Sequence, residues 1–361
     1  MRIAVDASRC TVPRPTGTER YALELIRALL RQDSPHTFTL YYRDAPAPGL
    51  FPAADRAAQR VIPFPRLWTH VRFAAALWQD RPDVTFVPAH TLPLAFPGQA
   101  VVTVHDLGFR YFPAAHPLRA RLYLDWTTRH SAHRASIVLA DSQATAADLT
   151  RFYGVPPGRI RVVYPGVEPP GQIMPGDIQA VRARHGLPSR YFLFVGTLQP
   201  RKNIARLVEA YRRWQAAHPG DPAALALAGG RGWLYDPGWA EGAPGVQLLG
   251  YVDEADKGAL YAGALALVFP SLYEGFGFPV IEAMHCGAPV IASRASSLPE
   301  LVGEAGLLVD PLDVDDIAAA MGCLAADDDL RKRLQELGRR QAARFTWDAA
   351  AAQTLAALAS V

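Results

Sequence analysis

The sequence predicts an α/β protein built from two doubly wound domains, each with a parallel sheet between layers of helices. Short apolar runs alternate with longer segments of helical periodicity, which is the pattern of successive βα units. This alternation stops in a stretch rich in proline and glycine at residues 166–188 and then starts again. The chain has 361 residues, enough for about two domains of roughly 150 residues each.

The first predicted domain covers residues 1–165. Its strands are short apolar runs, and we place them at Ile3–Val5, Thr37–Tyr42, Arg60–Pro63, Val84–Val87, Val101–Val104, Ile137–Leu139 and Ile160–Val163. Longer segments between these runs have helical periodicity. They predict helices at Glu19–Leu30, Leu118–Arg134 and Ala144–Phe152.

The second predicted domain covers residues 189–346 and repeats the alternation. Residues 166–188 form a predicted linker that contains one short helix, Asp177–His185. We place the strands at Tyr191–Val195, Leu225–Ala228, Val246–Leu248, Leu265–Phe269, Val290–Ala292 and Leu307–Val309. The helices are predicted at Ile204–Ala217, Ala255–Gly263, Phe278–His285, Val314–Ala325, Asp328–Phe345 and Trp347–Ala359.

Charge is distributed unevenly over the two domains. Residues 1–165 carry 20 basic and 12 acidic side chains, a net charge of +8, whereas residues 166–361 carry 17 and 22, a net charge of −5. This asymmetry suggests different partners for the two domains. Three separate cysteines favour a reducing cytoplasm over a disulfide framework, and no apolar run approaches the ~20 residues of a membrane-spanning helix.

The loop after the predicted strand Leu265–Phe269 carries the clearest chemical signal. Ligands of doubly wound sheets bind beyond the carboxyl ends of the strands. This loop contains Glu274, Gly275 and Gly277 and leads into a helix that contains Glu282. Glycines let main-chain N–H groups approach a ligand, and a helix N-terminus favours anions. The segment therefore suits a phosphorylated ligand with hydroxyl groups, unless both carboxylates are ordinary turn and helix residues.

Two further loops carry candidate site residues. Arg201 and Lys202 lie between a predicted strand and a helix N-terminus, where two cations can form a diphosphate clamp. His105 and Asp106 end the strand Val101–Val104. The alternatives are a solvated cation pair and a structural histidine with a turn-stabilising aspartate.

These loops together resemble the retaining glycosyltransferases of family four, which have the GT-B fold of two Rossmann-like domains. The segment EGFGFPVIEAMHCGAPVIAS is similar to the family's Glu-x7-Glu signature. The family's other landmarks follow in order: Pro15-Thr-Gly17-Thr-Glu-Arg-Tyr21, Val104-His105-Asp106, Tyr164-Pro-Gly166-Val, Gly196-Thr-Leu-Gln-Pro-Arg201-Lys202-Asn203 and Leu249-Gly-Tyr-Val252. The Lys-x-Gly-Gly loop of glycogen and starch synthases is missing.

The resemblance implies roles for individual residues. Glu274, His105, Arg201 and Lys202 would be catalytic: Glu274 and His105 at the donor sugar, and the two cations at the diphosphate. The remaining contacts to the donor nucleotide sugar would come from Gly17, Thr18, Gly196, Val252, Gly275, Phe276, Gly277 and Glu282, the last holding the ribose hydroxyl groups. The first domain would bind the acceptor and the second the donor, with the helix at about 347–361 crossing back to the first domain.

The implied function is retaining hexosyl transfer in cell-envelope polysaccharide synthesis. The sequence segments around Gly232–Leu234 and Glu274 resemble those of mannosyltransferases. GDP-mannose is therefore the expected donor, and a glycan or lipid-linked molecule is the expected acceptor. Two alternatives stay open: a UDP-sugar-dependent glucosyl or N-acetylhexosaminyl transferase, and a non-catalytic nucleotide-sugar-binding protein. A dinucleotide-binding dehydrogenase and a P-loop enzyme are disfavoured because their glycine motifs are missing, and no nucleic-acid-recognition module is visible.

No cofactor beyond the donor and no metal are expected. The chain contains one Asp-x-Asp sequence, Asp313-Val-Asp315, but it opens a predicted helix, where aspartate is favoured as a cap. Arginines alternate with large apolar residues, most of them aromatic, in two segments of the first domain: Arg60, Arg66 and Arg72 with Phe64, Trp68, Phe73 and Trp78, and Arg119, Arg121 and Arg129 with Leu122, Tyr123 and Trp126. That pattern suits peripheral contact with the inner face of an anionic membrane, and the alternative is that the aromatic residues form a helix's core-facing side.

Overall fold

The computed structural model describes residues 1–12, 17–52, 55–115 and 117–361. These residues form two compact units. The first unit contains Met1–Gly166 and Thr346–Val361, and the second contains Val167–Phe345. Each unit has a parallel sheet with helices in the connections between strands, so the predicted α/β class is confirmed.

The sheet of the first unit has seven strands among the residues described, and every strand pair is parallel. Their order is β3-β2-β1-β4-β5-β6-β7. The strands are β1 Arg2–Asp6, β2 Thr37–Tyr42, β3 Ala57–Val61, β4 Val84–Val87, β5 Gln99–Val104, β6 Ile137–Ala140 and β7 Ile160–Val162. The helices are α1 Gly17–Arg31, α2 Ala74–Asp80, α3 Gly108–Tyr111, α4 Leu118–Arg134 and α5 Gln143–Tyr153.

The second unit contains a six-stranded parallel sheet within the described part of the chain, in the order β10-β9-β8-β11-β12-β13. The strands are β8 Tyr191–Val195, β9 Ala224–Ala228, β10 Val246–Gly250, β11 Ala266–Phe269, β12 Val290–Ser293 and β13 Leu307–Val309. The helices are α6 Pro175–His185, α7 Ile204–Ala217, α8 Glu254–Ala262, α9 Phe278–His285, α10 Leu298–Val302, α11 Val314–Ala326 and α12 Asp328–Ala342.

Residues 167–188, which lie in the predicted linker, belong to the second unit. Its helix α6 packs against α8, and Ile178 lies where a side chain on Gly263 would otherwise be. The last helix, α13 Trp347–Ala359, belongs to the first unit and packs against α1. Arg31 pairs with Asp348 at 3.1 Å in this contact.

Both sheets reverse their winding direction beside their first strand. In the first unit the reversal lies between β1 and β4, and in the second it lies between β8 and β11. Doubly wound sheets bind ligands at this switch point, beyond the carboxyl ends of the strands. The loops that follow these four strands are therefore where we expect ligand-binding residues.

Candidate active site

The switch point of the second sheet brings together two of the loops that carry predicted site residues. After β8 the chain passes Gly196 and forms a 3-10 turn, Pro200–Lys202. After the neighbouring strand β11 it forms the loop 270–277 and then enters α9. The backbone N–H of Leu272 donates to the carbonyl of Arg201 at 2.9 Å, which ties the two loops together.

Arg201, Lys202 and Glu274 form a directly bonded cluster in these loops. Lys202 Nζ lies 2.6 Å from Glu274 Oε1, and an Arg201 guanidinium nitrogen lies 3.0 Å from Glu274 Oε2. The same guanidinium nitrogen donates to the carbonyl oxygen of Tyr273 at 2.8 Å. Lys202 Nζ also lies 4.7 Å from the centre of the Phe269 ring, a cation–π arrangement.

The cluster is largely buried, and its three side chains carry a net charge of +1. Glu274 is 6% exposed and Lys202 is 7% exposed. Burial by itself would raise the pKa of Glu274, but the charges of Arg201 and Lys202 outweigh it and lower the pKa below its usual value. Glu274 is therefore a carboxylate at neutral pH. Because two cations face one anion, the site has charge available for an anionic ligand.

Asn203 fixes the turn that presents the two cations. It adopts the left-handed backbone conformation, with φ of 63°, which asparagine tolerates better than most residues. Its amide nitrogen donates to the carbonyl oxygens of Pro270 and Pro311, at 3.1 and 2.6 Å. These bonds explain why an asparagine directly follows Arg201 and Lys202 and leads into α7.

Main-chain groups line the carboxyl ends of three neighbouring strands beside this cluster. Gly196 follows β8, Gly229 follows β9, and Gly250 ends β10, with φ values of 147°, 147° and 68°. The N–H of Gly229 donates to the carbonyl of Gly250 at 2.7 Å. A side chain on Gly229 would lie 2.0 Å from the carbonyl oxygen of Gly196. Glycine is required here because the strand ends approach so closely.

Two serines outside the predicted site hold the loop that carries Glu274. Ser296 Oγ accepts from the Glu274 N–H at 2.7 Å, and Ser297 Oγ donates to the carbonyls of Glu274 and Phe276. Gly277 has φ of 127° and caps α9, and a side chain there would lie 2.8 Å from Leu298. The main chain of Gly275–Gly277 is thus held at a helix N-terminus.

The Phe276 ring packs against other aromatic rings, Phe278 and Phe345, at centroid distances of 5.1 and 5.7 Å. It is buried, so its side chain is part of the core. That leaves its main chain as the group able to meet a ligand.

Glu282 lies on α9 in its own network. Its Oε2 accepts from the Tyr261 hydroxyl at 2.9 Å and lies 3.0 Å from Lys257 Nζ. Lys257 also pairs with Glu254 at 3.2 Å. Burial lowers the pKa of Lys257, but the two carboxylates, Glu282 foremost, raise it more. Val252, the last predicted site residue of the second unit, is buried beyond β10.

Sequence reasoning missed Lys257, Tyr261, Gly229 and the two serines. A sequence signal exists for Gly229, because it begins a Gly-Gly pair directly after an apolar strand. The partners of Glu282 are residues of α8, and only the packing of α8 on α9 shows that they meet it.

Residues 189–327 match the family model of glycosyl transferases group 1, and residues 15–169 match that of glycosyltransferase family 4. The chain is 35% identical over 272 residues to the O-antigen chain mannosyltransferase B of Escherichia coli, covering 71% of this chain and 69% of that protein. The chain belongs to the group 1 glycosyltransferases. This confirms the predicted family and makes the protein a glycosyltransferase.

Solved structures confirm the GT-B fold of this glycosyltransferase. The sucrose-phosphate synthase of Thermosynechococcus elongatus has a TM-score of 0.74 at 23% identity, over 98% of this chain and 97% of that one. The Anabaena protein HepE, solved in complex with UDP-glucose, has a TM-score of 0.71 at 18% identity, over 99% of both chains.

The remaining predicted residues of the glycosyltransferase, Gly17, Thr18 and His105, lie in the first unit. Gly17 and Thr18 are the first residues of α1 rather than part of a loop, whereas Pro15 and Thr16 lie outside the described residues. His105 directly follows β5 and is buried.

Asp313 caps α11, as the sequence predicts. Its carboxylate accepts from the N–H groups of Asp315 and Asp316, at 2.9 and 3.2 Å. Asp315 pairs instead with Arg213 at 2.6 Å. Among the residues that the structure describes, no group of three or more His, Cys, Asp or Glu side chains is arranged to hold a metal ion.

Proposed function

We propose that this glycosyltransferase transfers a hexosyl group from a nucleotide diphosphate sugar with retention of the anomeric configuration. GDP-mannose is the donor we favour, and the acceptor is a glycan or lipid-linked molecule of cell-envelope polysaccharide synthesis. The supporting observation is the buried Arg201–Glu274–Lys202 cluster at the switch point of the second sheet. It combines cations for a leaving diphosphate with a carboxylate for the positive charge that develops on the sugar.

The proposed reaction is a front-face substitution. The bond between the anomeric carbon and the β-phosphate oxygen breaks while the acceptor oxygen bonds to the same face of that carbon. The departing β-phosphate takes the acceptor proton, so no protein base is needed. Arg201 and Lys202 offset the charge of the leaving group, and Glu274, an anion at neutral pH, stabilises the oxocarbenium-like transition state without forming a covalent bond.

The choice of donor rests on similarity. A relative at 35% identity is a mannosyltransferase of O-antigen synthesis, which favours GDP-mannose. The UDP-glucose complex of HepE keeps a UDP-sugar as the second candidate. A non-catalytic nucleotide-sugar-binding protein would be expected to lack Glu274 or one of its two cations. This chain has all three residues.

The test is a donor panel of GDP-mannose, UDP-glucose and UDP-N-acetylglucosamine, with release of nucleoside diphosphate as the signal. We expect release from one donor and a 10²–10⁴-fold lower rate in Glu274→Gln, about the loss seen for one transition-state contact, with nucleotide binding retained. The matched control is Glu209→Gln on α7, since Glu209 also faces two arginines, Arg212 and Arg213, but its side chain is 45% exposed. Nucleotide binding without turnover of any donor would favour the non-catalytic alternative.

We further propose that helix α4 contacts an anionic membrane, where a lipid-linked acceptor would be met. The helix turns large apolar residues outward: Leu118, Leu122 and Trp126, spaced four residues apart, are 60%, 56% and 52% exposed. Its small and polar residues, Thr127, Thr128, Ser131 and Ala132, are buried instead. Arginines flank the exposed side, so both charge and apolarity suit an anionic lipid surface.

A further inference from the structure

A buried polar cluster lies at the carboxyl ends of three adjacent strands of the first unit. His90 follows β4, His105 follows β5 and Asp141 follows β6. His105 and Asp141 are 8% and 3% exposed. Sequence reasoning selected only His105, because Asp141 is 36 residues away along the chain and meets it through the pairing of β5 with β6.

Both ring nitrogens of His105 face acceptor oxygens. Nδ1 lies 2.8 Å from Asp141 Oδ2, and Nε2 lies 3.3 Å from the carbonyl oxygen of Pro88. A neutral imidazole has only one N–H, so one of its nitrogens would set a lone pair against an oxygen. The imidazolium form donates at both nitrogens and fits this arrangement.

His90 faces the opposite requirement. Its Nε2 lies 3.1 Å from the backbone nitrogen of His105, whose N–H can only donate. Nε2 of His90 must therefore be an unprotonated acceptor, which makes this ring neutral. The two rings are 5.3 Å apart, so a second positive charge on His90 would be repelled by the first.

We propose that Asp141 is a positioning residue that holds His105 as an imidazolium cation while His90 stays neutral. The edge of the first sheet then holds one fixed positive charge, and both N–H groups of that cation are bonded, to Asp141 and to the carbonyl of Pro88. The role of that cation in transfer rests on the proposed function, whereas the two protonation states rest on the hydrogen bonds alone.

Other charged groups around the pair agree with this assignment. Burial lowers the pKa of His105, but the carboxylate of Asp141, with help from Asp106, raises it above its ordinary value. Burial raises the pKa of Asp141 as well, and the charge of His105 opposes that rise, so the two groups stabilise each other's charged forms. Burial and the charge of His105 lower the pKa of His90 to about 3, with Asp106 opposing and Arg9 assisting. Tyr21, edge-on to His105 at 4.7 Å, remains a neutral phenol because burial raises its pKa.

The direction of the pH effect follows from these charges. In the wild type His105 stays cationic through neutral pH. In Asp141→Asn the amide preserves the shape but not the charge, so burial prevails and the pKa of His105 falls below neutrality. We expect transfer at pH 7.5 to fall about 10–100-fold, the loss seen when a carboxylate that orients a metal-binding histidine is removed, and to recover as the pH is lowered.

The decisive measurement is ¹⁵N NMR of the histidine rings in the full-length protein, with His105→Gln and His90→Gln used to assign the two signals. We expect the wild type to show cationic His105 at neutral pH and neutral His90 down to pH 5. Neutral His105 at pH 7.5 in the wild type would overturn the proposal, whether or not any variant folds.

The variants then separate positioning from general stability. Asp141→Asn should make His105 neutral at pH 7.5, and its rate relative to the wild type should rise as the pH falls. Asp148→Asn, which alters another buried aspartate of the same unit that accepts from the Tyr111 hydroxyl, should leave the His105 signal unchanged. Cationic His105 in Asp141→Asn, or a rate loss equal at every pH, would contradict the proposal. Absence of transfer in the wild type would defeat the proposed function and leave the titration result standing.

Discussion

At the scale of single residues, the site depends on how a buried carboxylate is kept ionised. The pKa of Glu274 is lowered because two cations outweigh its burial. A folded-state pKa below the unfolded value stabilises the fold above the unfolded pKa, and this stabilisation is lost as the pH falls through the depressed value. At neutral pH the side chain therefore holds no proton to donate. A role as a general acid is excluded, and electrostatic stabilisation of positive charge is what its geometry supports.

Glu282 differs from Glu274 because we expect it to bind the donor nucleotide and not to stabilise charge on the reacting sugar. Its Oε2 already accepts from Tyr261 and lies beside Lys257, and a carboxylate can accept further hydrogen bonds. We expect Glu282→Ala to weaken binding of the nucleoside diphosphate by about 1.5–3 kcal/mol, the range for hydrogen bonds to a charged group. Calorimetric titration with GDP and with UDP measures this directly.

The control for that titration is Glu254→Ala, which removes the other carboxylate paired with Lys257. Glu254 is exposed, so its loss should leave nucleotide affinity unchanged. Equal effects of the two substitutions would show that charge near Lys257 matters and that contact between Glu282 and the ribose does not.

The sequence predicts those site residues whose own loop has a recognisable motif. Glu274, Arg201 and Lys202 each lie in a loop that follows a buried strand, so the sequence predicts that these loops form the site. The parallel pairing of β8 with β11 makes the two loops neighbours. What sequence could not name are residues that act through another strand or helix. Asp141 and Lys257 look like ordinary polar residues until the strand order and helix packing are known.

At the scale of elements, the sequence predicts buried strands more accurately than exposed ones. Strands such as β9 and β12 are buried throughout, and the sequence predicts their bounds within a residue or two. The prediction at Arg60–Pro63 is shifted, because β3 runs over Ala57–Val61 and is an edge strand with mostly exposed side chains and no apolar run. Its position is set by register, with Phe38 opposite Ala57 and Tyr42 opposite Val61.

The arginine–aromatic segments of the first unit divide into two kinds. Trp68 and Phe73 are buried and stacked at 5.1 Å, so they form core rather than a membrane surface. Leu122 and Trp126 on α4 are exposed. Similar arginine–aromatic segments thus pack in the core in one case and lie at the surface in the other. Only the packing of each segment in the structure distinguishes the two cases.

The exposed side of α4 gives the prediction at this scale. We expect the wild type to sediment with vesicles containing phosphatidylglycerol, and less so as salt is added. Leu122→Ser combined with Trp126→Ser should weaken this binding at least about tenfold, because part of the ~1.5–3 kcal/mol of burial for each side chain is lost. Leu312→Ser, an exposed apolar position of the second unit, is the control. Equal sedimentation of all three proteins, or none by the wild type, would remove α4 as a membrane contact.

At the scale of the whole molecule, the two units use charge in different ways. The first carries the arginine excess and, among the residues described, contains no helix able to cross a membrane. The second has more acidic than basic residues overall but concentrates two cations on one carboxylate at its switch point. A donor diphosphate would therefore meet local positive charge in a unit that has more acidic than basic residues.

That local charge leads to the prediction that transfer needs no divalent metal. Arg201 and Lys202 supply two positive charges, and the main chain at Gly275–Gly277 adds N–H dipoles at a helix N-terminus. Together these offset the charge of the leaving diphosphate, which is the work a metal would otherwise do. Both aspartates of the Asp-x-Asp sequence have structural roles: Asp313 caps α11 and Asp315 pairs with Arg213. Turnover should therefore survive dialysis against excess EDTA. Asp313→Asn should leave turnover unchanged and cost less than the ~0.5–2 kcal/mol of a lost cap, since asparagine also caps helices. An enzyme that EDTA silences and Mg²⁺ or Mn²⁺ restores would show that the cation pair is not sufficient for the leaving group.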